Sequence, residues 1–245
     1  MRRLVLALLV LAVVPALAAD LYAIQGDMLY WADGDTGEWE PLSDTWSGAE
    51  LMVALDGELF VIQGDVLYVV DPYDGSWEAL SETWSGTTAL CAGNGWLYAC
   101  QGGVIYEIDP VDGSWYEVAG YYEGTRFLEY SGGALMVIQD DVLYRTDPVS
   151  GDYSPLPSTY AGTTAAAATP DYFFVIQGDV LYKVDPYTGD YEDLGGGYQG
   201  ATEMTAKGNY VYCVWEDVLW KTDIWSGEYE GLSDTWQGTS ALCAL

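Results

Sequence analysis

Residues Val61 to Gly86 read VIQGDVLYVVDPYDGSWEALSETWSG, and versions of this stretch return along the chain at one fixed interval. Aligned on its glutamine, the unit recurs at Gln25, Gln63, Gln101, Gln139 and Gln177, each 38 residues after the last, and a sixth step reaches Trp215. Internal periods of this size mark propellers and solenoids, and the secondary structure within the unit separates the two. In the second unit, Leu51 to Leu55, Leu59 to Gln63, Val66 to Asp71 and Ser76 to Leu80 are short runs of aliphatic, β-branched and aromatic residues. Asp56-Gly57, Gly64-Asp65 and Pro72-Tyr73-Asp74-Gly75 separate them, supplying the positive backbone angles and preset turns of tight connections. Four short antiparallel strands per unit make one blade.

Six such units fill residues 20 to 245, which predicts an all-β, six-bladed propeller of four-stranded antiparallel blades. Leu245 aligns with Leu55 and Asp20 with Glu58, so the strand Ala241 to Leu245 should be the innermost strand of the blade begun by residues 21 to 42. That closure removes the open sheet edges an unclosed array would expose. The column Asp33, Asp71, Asp109, Asp147, Asp185 and Asp223 is explained by turn chemistry, the carboxylate bonding to the turn backbone.

Tyr68-Val69-Val70-Asp71-Pro72 followed by Trp77-Glu78-Ala79-Leu80 resembles the kelch repeat (of the galactose-oxidase-central-domain-like kind), with Tyr153, Tyr191 and Tyr229 replacing the tryptophan in later units. The units are shorter than the about 50 residues usual for kelch. Gln63-Gly64 stands where kelch has a double glycine. The resemblance implies a propeller fold and carries no catalytic residues with it.

Met1-Arg2-Arg3, the apolar run Leu4 to Val14 and Pro15-Ala16-Leu17-Ala18-Ala19 have the order of a secretory signal peptide, placing the propeller at 20–245 after a signal at 1–19. The expected location is extracellular or periplasmic. Leu4 to Ala19 is shorter than the roughly 20 apolar residues that span a bilayer, so no membrane insertion is expected. With Arg2 and Arg3 in the signal, five basic residues face 38 acidic ones, a net charge of −33. Such a field repels phosphate backbones and excludes nucleic acid as a partner. The chain has no histidine, which removes imidazole bases and histidine zinc sites, and its cysteines lack metal-ligand spacing. Neither a cofactor nor a metal is expected.

Four aromatic columns, at the positions of Tyr22, Tyr30, Trp39 and Trp46, hold 23 of the 36 aromatic residues. A ring buried between blades removes about 150 to 250 Å² from water, about 4 to 6 kcal/mol before entropy costs. Cys91 and Cys100 fall diagonally on neighbouring strands, a marginal geometry for a disulfide. Cys213 and Cys243 lie on opposite blade faces at the ring closure, where a bridge is expected, with buried free thiols as the alternative.

The loop between strands two and three shares a face with the connection to the next blade. One rim therefore carries Trp46, Trp84, Tyr122, Tyr160, Tyr198 and Trp236 beside Gln25, Gln63, Gln101, Gln139 and Gln177 and the acids Asp27, Asp65, Asp141 and Asp179. Rings that stack on sugars and polar groups that take hydroxyls would make this a carbohydrate-binding set. Packing between blades is the competing reading and ranks ahead for the rings, whereas glutamine at a strand end packs less well than a β-branched residue. Three function classes follow. A non-catalytic scaffold binding a protein or cell-surface partner ranks first, and a multivalent lectin second. A glycosidase ranks last, because it needs two differently tuned carboxylates and the repeats offer no evident asymmetry, so the chain is read as no enzyme.

Overall fold

The computed structural model describes residues 19–245 and contains six four-stranded antiparallel sheets arranged as the blades of a six-bladed propeller. All of the expected signal except Ala19 lies outside the described residues. No helix among the described residues is long and apolar enough to cross a membrane. In blade 2 the strands are Leu51–Leu55, Glu58–Gln63, Val66–Val70 and Trp77–Glu82, from the channel outward. The outer strand runs two residues further than its sequence suggests, because Ser81 and Glu82 still pair with Leu67 and Val66 beyond a bulge.

Blade 1 is completed by the chain's other end. Thr239–Ala244 pairs antiparallel with Asp20–Gln25, joining Leu21 to Ala244 and Ile24 to Ala241, and the Leu245 amide donates to the Asp20 carbonyl at 2.8 Å. The inner strands of successive blades pack around a central channel, and the apolar core is divided among six clusters of buried residues, one at each seam between blades.

The aspartate column caps turns in all six blades. Asp71 Oδ1 accepts the Tyr73 amide at 2.8 Å, and Asp33, Asp109, Asp147, Asp185 and Asp223 accept the amide two residues on in the same way. Gly75 ends the turn at φ +69°, where a Cβ would lie 2.9 Å from Ser43 Oγ and 3.0 Å from Leu42 Cβ of the preceding blade. Both the backbone angle and the approach of the neighbouring blade therefore require glycine.

The expected bridge between Cys213 and Cys243 does not form; all four cysteines are free and buried. Strand parity correctly puts the two on opposite faces, but they point away from their shared seam. Cys213 packs in the cluster between blades 5 and 6, Cys243 in the cluster between blades 1 and 2, and the cluster between blades 6 and 1 contains neither.

Candidate functional site

The sequence-derived rim comes together in space, but its groups are occupied with one another. Trp46, Trp84, Tyr122, Tyr160, Tyr198 and Trp236 are only 1 to 3% exposed. Each descends from its connector into a seam, where in blade 2 Trp46, Tyr68 and Trp77 meet edge-on with ring centroids 5.3 to 6.3 Å apart. The polar ends of these rings are matched to their identity. The indole nitrogens of Trp46, Trp84 and Trp236 donate to Ser43, Ser81 and Ser233 three residues earlier, each at 2.9 Å. The hydroxyls of Tyr122 and Tyr198 instead meet Thr146 and Thr222. Tyr160 has Val184 at the equivalent place, and its buried hydroxyl has no partner. Of the two readings of these rings, packing between blades, ranked ahead in the sequence, matches the geometry, and the stacking surface is corrected: desolvation outweighs exposure for a ring that can enter a seam.

The glutamines are latches. Gln63 Nε2 donates to the carbonyls of Thr45 and Ser47 at 2.8 and 2.9 Å, tying blade 2 to the connector that enters it. Gln25, Gln101, Gln139 and Gln177 repeat the pair of bonds at their own seams. At three seams the first carbonyl belongs to a non-glycine residue in the left-handed region, Thr83 at φ +97°, Tyr121 at +74° and Thr235 at +86°. In the sixth blade Trp215 replaces the glutamine, and Gly197, at φ +112°, takes the equivalent connector position. Where the latch is missing, the residue that needs it least stands in its place. Of the rim set, Asp27, Asp65, Asp141 and Asp179 remain exposed at their hairpin tips. Their backbone carbonyls accept the amides of Trp46, Trp84, Tyr160 and Tyr198.

Two features escaped the sequence reading. The first is on the opposite face. Tyr73, Val111, Val149, Tyr187 and Trp225 are 89, 86, 93, 63 and 58% exposed, and all occupy the second position after the turn aspartate. Because every blade is antiparallel with the same strand order, these five turn tips share one face, with Asp35 in the sixth place. An apolar residue at the second position after the turn aspartate, where a polar one would serve, was the available signal.

The second is in the channel. Glu129 on the inner strand of blade 4 and Glu203 on that of blade 6 line a shared cavity of about 230 Å³. Blade 5, between them, presents the alanines Ala165 to Ala168. Burial pushes both carboxyls up to about 8, with Glu50 adding to the effect at Glu203. Arg126 lines the same cavity and donates to the Thr163 carbonyl at 2.7 Å. Both glutamates interrupt columns otherwise free of acids, and that departure was visible in the alignment.

No family model matches the chain, and no curated protein matches it. Among solved structures, a nidogen/laminin complex aligns over 92% of this chain and 98% of its own, with a TM-score of 0.78 at 8% identity. PorZ, an essential bacterial surface component of the type-IX secretion system of Porphyromonas gingivalis, aligns over 90% of this chain and 33% of its own, with a TM-score of 0.62 at 14% identity. At these identities the likeness shows the fold alone.

Proposed function

We propose that the chain is a secreted, non-catalytic propeller that holds a protein partner on its turn face. The observation that carries this reading is the ring of Tyr73, Val111, Val149, Tyr187 and Trp225, five apolar side chains exposed at one turn position on one face. Large apolar groups exposed at matching places on one face give a partner several anchor points at once. Aromatic anchors of the Tyr and Trp type are enriched where protein interfaces concentrate their binding energy. The surrounding acidic surface selects a partner with a basic rim and accelerates its encounter. The nidogen/laminin structure, by its name a complex between proteins, adds a precedent for a propeller of this shape in such a setting. Kelch-like ancestry belongs to the same reading and rests on the recurring Tyr-x-x-Asp-Pro strand end with its following aromatic.

A photo-crosslinking residue placed at Tyr73 or Tyr187, and in a second protein at Asp65 on the other face, tests the proposal in the source cells. The expected result is one protein adduct from the turn face only, abolished by Trp225→Ser in a folded variant. Adducts solely from the Asp65 position would refute it. The glycan reading retains only the exposed hairpin-tip aspartates, and a glycan array with the purified propeller separates it from protein binding.

A further inference from the structure

The connector-side mouth of the central channel carries charges of both signs that do not meet. At 38-residue intervals where the inner strands begin stand Glu50, Thr88, Arg126, Thr164, Thr202 and Ser240, a column of hydroxyls broken twice, by opposite charges. A third departure is Glu203, whose equivalents are Leu51, Ala89, Phe127, Ala165 and Ala241. Glu50, Arg126 and Glu203 line one cavity of about 860 Å³ at this mouth. Their positions around it follow from the succession of inner strands, Thr239–Ala244, Leu51–Leu55, Thr87–Gly93, Thr125–Ser131, Thr163–Ala168 and Glu203–Lys207. Glu203 and Glu50 flank the inner strand of blade 1, and Arg126, on blade 4, stands across the channel from them. Burial, and to a lesser degree the Glu50 carboxylate, pushes Glu203 up to about 8, as expected of neighbouring acids with no cation between them. Ser240, between the two acids, donates instead to the Ala49 carbonyl at 2.8 Å. Arg126 donates to the Thr163 carbonyl at 2.7 Å, and among the described residues neither it nor either acid forms an ion pair.

We infer that the channel mouth binds a small zwitterion with its ammonium and carboxylate at opposite ends, as in a short free peptide, the ammonium between Glu50 and Glu203 and the carboxylate on Arg126. A dianion would set one end against the two acids, and a diamine one end against the arginine. Separated charges of both signs suit both walls, and each end gains charge-assisted hydrogen bonds. The guanidinium has further donors beyond the one given to Thr163. An ammonium placed between the acids favours the ionised form of both. Glu129, on the strand that carries Arg126, lies deeper, lining the narrower cavity of about 230 Å³ and not the mouth. Burial pushes its carboxyl up to about 8, so it is largely uncharged at neutral pH and leaves Arg126 to the ligand. The volume of the mouth lies in the range of small-molecule sites. The site opens on the connector face and does not depend on the protein partner proposed for the turn face.

Glycine peptides of two to five residues are the probes, since they carry the two charges and no side chain. They are titrated into the purified protein at neutral pH by isothermal calorimetry. One length is expected to bind best, and its acetylated and amidated forms, each lacking one charge, should bind about tenfold more weakly. Arg126→Gln should bring the free peptide down to the level of its amide while leaving the amide unchanged. Glu50→Gln should weaken the free peptide and the amide but not the acetylated form. Both residues are exposed, and a thermal melt checks each variant; if Arg126→Gln fails to fold, Glu50→Gln decides alone. Binding of no peptide at millimolar concentration would overturn the inference. So would an amide or an acetylated form that binds as tightly as the free peptide, or binding insensitive to the substitutions.

Discussion

Replacing Gln101 with alanine removes two hydrogen bonds, at 2.6 and 2.8 Å, to the carbonyls of Thr83 and Ser85. Net contributions of such bonds are about 0.5 to 1.5 kcal/mol each, and both carbonyls can be rehydrated, which favours the lower half of the range. A loss of about 1 to 2 kcal/mol is expected. Thr83 sits at φ +97°, a region that costs a non-glycine residue about 1 to 3 kcal/mol. Thr83→Gly should remove that strain at an entropic cost of about 0.5 to 1 kcal/mol. Added to Gln101→Ala, it should therefore restore about 1 kcal/mol. The double variant reproduces the arrangement of Gly197 with Trp215. Gln101→Glu should cost more than alanine at neutral pH, because a carboxylate then faces two carbonyls with nothing to donate. Part of that cost should vanish as the new carboxyl is protonated. Urea unfolding midpoints, compared at constant slope, supply the test. An unchanged midpoint in Gln101→Ala, or a further loss on adding Thr83→Gly, would refute the latch.

Val184→Thr should raise stability by about 1 kcal/mol by supplying the partner that Thr146 and Thr222 give elsewhere, about 2 to 4 °C by calorimetry. Gly151→Ala should cost about 2 to 4 kcal/mol, since its φ is +73° and a Cβ would lie 2.3 Å from the Val118 carbonyl oxygen; circular dichroism melts report it. Thiol titration of the unfolded, unreduced protein should find four free sulfhydryls. Glu129 has its folded pKa raised by burial to about 8, so its stabilising contribution is full below the unfolded value of about 4.3 and is lost as pH rises through about 8. Glu203 is shifted the same way, so the unfolding midpoint should fall between pH 5 and 8, by less than the limiting ~1.4 kcal/mol per pH unit for each group because both side chains are only partly buried. Glu129→Gln should remove part of that fall and leave the part due to Glu203, whereas an unaltered slope would refute the role of Glu129. Arg126, Glu203 and Glu50 line the same cavity, and Cys91 lies near the Glu129 carboxyl.

Blade number, strand order, ring closure and the aspartate turns were legible because each repeats with its physical cause attached. The Asn94-Gly95 turn even gives the register that sets Cys91 opposite Tyr98. What the sequence withheld was direction. It places Trp46 on a connector but not whether the ring enters the seam or leaves it, and that depends on space left by Tyr68 and Trp77. Parity assigns Cys213 and Cys243 to opposite faces without saying which faces meet. Glutamine looked dispensable to a strand because its role lies outside the strand, in the carbonyls of the connector that enters its blade. Glu129, Glu203 and Val184 look like ordinary drift within their columns until the neighbouring blades are present.

The pairing of Thr239–Ala244 with Asp20–Gln25 also determines how the ring answers mechanical load. The strands are antiparallel, so residues 20 and 245 lie at the same end of the ladder, joined by the Leu245 amide and the Asp20 carbonyl. Force drawing those two residues apart falls on one hydrogen bond at a time and peels the pair open, whereas shear would load the whole ladder together. The closure is thus a clasp, strong against thermal opening through its apolar seams and weak against tension applied at its own two ends.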